Sequence, residues 1–326
     1  MICDMRGSDV KGKLILEYFS WIAASVAMFA AGVQIAFLSP FTVLAAPVPF
    51  LLFTCRAGIR HALSGALAGT AVVFAAMGEV SALLYVCEFA ILGMAAGVVM
   101  LRAKNGADYF LAALAASVTV KLFLIGVFRY AAGVNPFMIT PEAAEAFISS
   151  LSGTLSQGGV SVSQESVRSY AADMVKTVGM LMPSMLILFS ACDTAAGYLA
   201  ARLYARRDAS LNVPKLPPFA SWRFPKNIFW ALLAALVLDM ASKAMPEDAL
   251  YKMLALNMME VLRGVFLIEG LSLAWYFMSA YRVNRAVRCA AVAVGIFFAP
   301  VSYVLSMAGV FDIWYDLRKR IKLRGK

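Results

Sequence analysis

The sequence predicts an all-α fold, a polytopic transmembrane helical bundle, and three observations carry that prediction. Of 326 residues, 62% are hydrophobic and only 15% charged, with a mean hydropathy of +0.78; a surface facing water needs more polarity than that. Apolar runs recur from one end of the chain to the other. The longest polar connection, Gly133 to Asp173, is too short to hold a separate soluble domain.

Taken in order, residues 1–18 form a cytoplasmic N-terminal segment whose basic "KGK" precedes the first apolar run. That run, Phe19 to Leu38, has the length and flank of a signal peptide, but "QIAFLSP" lacks the small residues of a cleavage site, so a retained anchor is expected. Then come Phe41 to Thr54, Ala62 to Met77, Ser81 to Leu101, Tyr109 to Ala132 and Met174 to Ala201. The first two of these are short against the roughly 20 residues of a straight span, and "SPF" and "PVPF" supply prolines that kink or unwind a helix. Residues 19–203 therefore read as a six-helix bundle.

Within it, the outer loop 133–173 carries signals for two short amphipathic helices. Thr140 caps "TPEAAEAF", with Pro141 at the first helical position, and Ser163 caps "SQESVRSYAADMV". They form either a lid or an interfacial connection. A basic cytoplasmic loop, 204–226, leads to further membrane helices over 227–310: Asn227 to Met245, Leu250 to Ala280 and Cys289 to Val310. Residues 311–326 are a basic tail. The total is eight or nine hydrophobic segments, the last either crossing or re-entrant at Pro300.

Lys and Arg orient the chain, since short cytoplasmic connections carry the excess of positive charge. With the N-terminus inside, "CRAGIRHA", "RAKNGAD", the 204–226 loop and "YRVNRAVR" all fall on the cytoplasmic side of a bacterial cell (inner) membrane. A simple ninth crossing would put "RKRIKLRGK" outside; a re-entrant segment would keep it in. The net charge of +10 follows from these loops, which also attract anionic lipid headgroups. With no soluble module beside the charge, nucleic acid is excluded as a partner.

Depth along the spans brings out a polar layer. At about 1.5 Å per residue, Glu88, Lys121, Asp239 and Glu269 lie about 18–20 Å from the cytoplasmic ends of their segments, and Asp193 about 13 Å. Five spans thus place one ionisable side chain each near the bilayer midplane. Such residues are costly there, so they face the bundle interior and pair. Lys121 is expected to pair with Glu88 or Asp193, and the layer is either a buried structural set or a site for a proton, a cation or a small solute. Glu260 and Arg263, one turn apart, read as a local helix pair.

Other chemistry is scarce. One histidine, His61, and no H-E-x-x-H, G-x-S-x-G or Walker A sequence leave no material for a triad, a His-based metal site or nucleotide hydrolysis. No enzyme activity, metal or cofactor is expected. Five dispersed cysteines without C-x-x-C read as small buried hydrophobes or free thiols. Ala23, Ala27 and Ala31 form a small-residue stripe on the first span, suited to close helix packing, internal or with a partner.

The stretch "LNMMEVLRGVFLIEGLSLAWYFM", Leu256 to Met278, and the ending "AGVFDIWYDLRKR", Ala308 to Arg320, resemble the C-terminal part of the YybS-like family of bacterial membrane proteins, a domain of unknown function. The likeness rests on Asn257 and Gly270 and on the cluster Gly309, Asp312, Trp314 and Arg318. A second, weaker likeness concerns the first six segments. "FLSPFTVLAAPVPFLLFTCRAGIRHALSGALAG" is similar to the early part of S components of energy-coupling factor transporters. That resemblance implies six helices around a solute site, with Ala23, Ala27 and Ala31 meeting a transmembrane coupling partner. This chain adds two or three segments beyond the sixth, and no ligand-binding residue carries over. The function expected is a solute-binding or transport subunit; the alternative is a membrane scaffold or assembly factor docking a partner through its basic loop and tail, with "NVPKLPPFASWRFP" as the cue.

Overall fold

The computed structural model describes residues 2–133, 144–146, 148–150, 164–208, 211–244 and 250–320. Among them every regular element is a helix or a single helical turn. Two compact units result: Met1–Pro136 with Phe189–Leu216, and Phe137–Leu188 with Pro217–Lys326. The division falls inside the sixth apolar segment, within the helix Met182–Tyr204.

The first unit begins with the helix Ile2–Gln34. The prolines of the second segment act as helix starts. Pro40 opens Ser39–Ala45, and Pro47 and Pro49 stand at the N-cap and first turn of Val48–Ala57, where a missing N–H costs nothing. The next helix, Ile59–Leu84, passes through a π turn at Tyr85–Ile91 into Leu92–Arg102. The run Ile59–Arg102 is 44 residues of apolar sequence, about 66 Å if straight and far beyond the ~30 Å hydrocarbon core. Gly78 resolves this. Its φ of 85° and ψ of 178° break the helix in a region only glycine enters freely, and the legs fold back on each other. Ala62, Ala66 and Val73 share one core with Tyr85, Phe89 and Met94. The last helix before the outer loop is Gly106–Ala132, capped by the Asn105 side chain on the Asp108 N–H at 2.9 Å.

By length and composition, five helices among the described residues can cross a membrane: Ser39–Ala57, Ile59–Arg102, Gly106–Tyr130, Met182–Tyr204 and Leu250–Ala280, or six if the bent pair Arg285–Phe297 and Ala299–Tyr315 counts as one. These candidates do not confirm the expected eight or nine segments. Ala62 to Met77 and Ser81 to Leu101 are the two legs that Gly78 separates within the Ile59–Arg102 run, and Asn227 to Met245 yields a helix of 16 residues, Ile228–Lys243. Of the two loop helices, Gln164–Met180 is present; its cap at Ser163, and the Thr140 cap of the other, lie outside the described residues.

In the second unit, Gln164–Met180 meets Met182–Tyr204 at a break. Pro183 removes a backbone donor there, and the side chain of Asn257 enters the gap. The Ser184 N–H donates to Asn257 Oδ1 at 2.7 Å, while Asn257 Nδ2 donates to the Met180 and Met253 carbonyls, both at 2.7 Å. One amide thus replaces the 184-to-180 rung of the helix ladder. Asn257→Leu is expected to lower thermal unfolding stability by about 1–3 kcal/mol, the cost of stranding these backbone groups; a shift no larger than that of a surface substitution would show that water fills the gap.

Ile228–Lys243 packs on Leu250–Ala280 through Ala235, Leu262 and Phe266, joined by Ile313. Leu250–Ala280 and Ala299–Tyr315 touch backbone to backbone. A methyl group added to Gly270 would fall on the Leu305 carbonyl, and one added to Gly309 on the Phe266 carbonyl. Around this crossing, Ser306 Oγ donates to the Arg263 carbonyl at 3.3 Å, Arg318 reaches Glu269 at 3.2 Å, and Tyr276 Oη donates to the Arg318 carbonyl at 3.5 Å. From Arg263–Ser306 through Phe266–Gly309 to Tyr276–Arg318 the residue numbers rise together, so the two run parallel. Between them, Arg285–Phe297 is bent 100° from Ala299–Tyr315.

Candidate functional site

Lys121 lies four residues after Ser117 on the Gly106–Ala132 helix, so both project from one face. Lys121 Nζ donates to Ser117 Oγ at 2.9 Å and forms a short ion pair with Asp193 Oδ2, to which Ser117 Oγ also donates at 3.2 Å. Lys121 and Asp193 are each only 3% exposed. Glu88 Oε2 stands 3.8 Å from the same Nζ. An ammonium group has three donors; two are engaged, and Glu88 is near enough for the third after a movement of about 1 Å to normal hydrogen-bond length.

The backbone holds Glu88 in a particular way. It sits in the π turn Tyr85–Ile91, a wide turn that is uncommon and recurs at functional positions. Tyr85 and Phe89 stack on each other at 5.6 Å and enclose Phe29. Among the described residues, Glu88 Oε1 is buried without a hydrogen-bond partner. Two carboxyl groups therefore stand around one ammonium group. No three His, Cys, Asp or Glu side chains converge as metal ligands among the described residues. A cleft of about 430 Å³ elsewhere in this unit, lined by Cys55, Lys104, Asn105 and Lys215 among others, includes none of the three charged groups.

The second unit holds a different polar group. Arg318 Nε donates to Asp312 Oδ2 at 2.9 Å and Nη2 to Glu269 Oε1 at 3.2 Å, while the Phe224 N–H donates to Glu269 Oε2 at 2.9 Å. Arg223 and Lys319 close on Asp316 at 2.6 and 2.9 Å. Three acids thus face three bases. The network also ties down the 217–225 loop, since Ser272 Oγ donates to the Phe219 carbonyl at 2.7 Å and Trp222 Nε1 to the Pro217 carbonyl at 3.0 Å. Each partner is matched, so this is a structural clasp.

Asp316 lies beyond the helical spans. Hydrogen bonds from Arg223 and Lys319 hold its carboxyl well below the usual carboxylate range. Its contribution to stability is complete above about pH 4 and is lost as the pH falls toward the folded value. Asp316→Asn is expected to flatten the acid limb of a Tm-against-pH curve below about pH 4; an unchanged limb would place the acid sensitivity elsewhere.

Of the five residues expected in one layer, then, Glu88, Lys121 and Asp193 come together in the first unit. Glu269 is buried with Asp312 and Arg318 in the second. Asp239 departs from the expectation: its side chain is 38% exposed and pairs with Lys243 at 3.0 Å on its own helix. Its depth matched the others, but its face of the helix turns outward. Glu260 and Arg263 form the local pair at 3.0 Å. Ala23 and Ala27 are exposed and Ala31 half-buried. In the C-terminal cluster, Gly309, Asp312 and Arg318 are packed inside, whereas Trp314 is half-exposed with its ring 4.8 Å from Phe229. Ser117 escaped the sequence reading, although its four-residue spacing from Lys121 was a usable signal. The Glu269–Arg318 contact had none, because the two stand 49 residues apart.

A family described as "Predicted membrane protein (DUF2232)" matches residues 23–313. The chain is also 22% identical over 316 residues to the "Uncharacterized protein YybS" of Bacillus subtilis (strain 168), covering 96% of this chain and 98% of that one. No solved structure matches.

Proposed function

The chain belongs to the DUF2232 family of predicted membrane proteins, and from that premise we propose that it is a non-enzymatic solute-binding or transport subunit of a bacterial cell (inner) membrane. One observation carries the reading: partly buried Glu88 and buried Lys121 and Asp193 come together, two carboxyl groups around one amine. Each charge at membrane depth costs roughly 2.5–3.5 kcal/mol, and a purely structural set gains by balancing, as the Arg318 clasp does. The second carboxyl group suits a proton, a monovalent cation or the cationic part of a solute. Asp239 and Glu269 belong to the other unit.

The likeness of the first six segments to S components fits the same role. Exposed Ala23 and Ala27 would face a transmembrane coupling partner, and any use of ATP would fall to other proteins, since the chain has no nucleotide-binding sequence. A second reading, a scaffold, is favoured by the helix Arg285–Phe297, of which only Gly295 is buried; its apolar surface could receive another protein.

The test is thermal stability of the purified protein in detergent against amines, vitamins, nucleosides and alkali cations, because a ligand that binds only the folded state adds RT ln(1 + [L]/Kd). Glu88→Gln is the informative variant, as it leaves the Lys121–Asp193 pair in place. A stabilising ligand whose effect disappears in Glu88→Gln supports the proposal. Stabilisation by none, in a sample that unfolds cooperatively, favours the scaffold.

A further inference from the structure

We infer that the C-terminal segment is a re-entrant hairpin, so that the basic tail returns to the same side of the membrane as the 281–284 turn. Two observations of different kinds lead there, and neither depends on the proposed transport role.

The first is the direction of the final helix. Two crossing helices joined in sequence by one short turn run antiparallel, yet Ala299–Tyr315 runs parallel to Leu250–Ala280. Ser306 pairs with Arg263, Gly309 rests on Phe266, Glu269 meets Arg318 and Tyr276 meets the Arg318 carbonyl. The chain leaves the long helix at Ala280 and must travel back along it before Ala299 can start. Only Arg285–Phe297 is available for that journey. Its 13 residues cover about 20 Å, less than the ~30 Å hydrocarbon core, so it penetrates part of the way. The chain then turns 100° at Phe298, where Pro300 in the first turn of the next helix needs no donor, and comes out again. Gly295 marks the inward leg against its neighbours, facing Leu271 and Leu305.

The second observation is the charge. On a hairpin, Arg223, Arg282, Arg285, Arg288, Arg318 and Lys319 all gather at the Ala280 end of the second unit. A simple crossing would split this basic set between the two sides, against the tendency of short connections to hold their Lys and Arg on one. The hairpin removes the conflict, and it makes the gathered face the one that meets anionic headgroups.

Single cysteines in a background freed of the native five, probed with a membrane-impermeant maleimide in right-side-out and inverted vesicles, test the inference. Tyr281→Cys and Lys319→Cys are both at exposed positions, and Tyr251→Cys marks the opposite end of the long helix. The expected result is that 281 and 319 react from one side and 251 from the other. Reaction of 319 from the side of 251 would overturn the hairpin. Should the cysteine-free protein fail to insert, an epitope placed after Lys326 of the otherwise unaltered chain gives the same answer by protease protection: tail and 281–284 turn cut from one side support it, from opposite sides refute it.

Discussion

Lys121→Met is expected to destabilise the folded protein by about 3–5 kcal/mol, the cost of breaking a buried ion pair by removing one partner. The geometry makes this the worst of the substitutions at the site. Lys121 is the shared partner of Glu88 and Asp193, so its loss leaves a buried and a partly buried carboxyl group without it. Asp193→Asn should cost less, because Lys121 can move toward Glu88 from its present 3.8 Å and recover a partner. Thermal unfolding of the two single variants and of the double variant Lys121→Met/Asp193→Asn checks the ranking. Equal losses for the two singles would mean that Glu88 does not share the lysine, which would weaken the case for a common site.

The second large effect is steric. Gly309→Leu places a side chain where the Phe266 carbonyl and the Gly270 amide already stand, and backbone cannot move aside as a side chain tip can. A loss of about 3 kcal/mol, the upper end of the overpacking range, or more is expected. Because the same contact sets the position of the Asp312–Arg318 clasp, the 217–225 loop should become sensitive to protease at the same time. Gly126→Ala is the control. No described residue lies within 4 Å of its added methyl group, so the change should be neutral or stabilise the helix by up to about 1 kcal/mol. If Gly309→Leu behaved like Gly126→Ala, the close approach of the two helices would be wrong.

The prolines and glycines were readable in kind but not in consequence. "PVPF" announced a disturbed second segment, and Pro47 and Pro49 do open a new helix. Gly78 gave no comparable signal, because glycine is tolerated in apolar helices and a positive φ is set by the neighbours that fold back across it. Asn257 could be singled out in sequence; that it rebuilds the break at Pro183 could not, since the two segments meet only after folding.

What the sequence alone determined is the class of the protein, the location of its apolar helices and the depth of its ionisable residues along them. Those properties follow from the local chain, where the cost of exposing apolar surface or burying charge depends on each residue and its immediate run. Depth, however, is one coordinate. Glu88, Lys121, Asp193, Asp239 and Glu269 share it, and only the tertiary structure decides which faces of which helices meet. It joins the first three, turns Asp239 outward to Lys243, and gives Glu269 an arginine from the end of the chain. The physical reason is that an ion pair is governed by distances of a few ångströms across the packing of separate helices, and that packing is set by contacts between residues far apart in sequence.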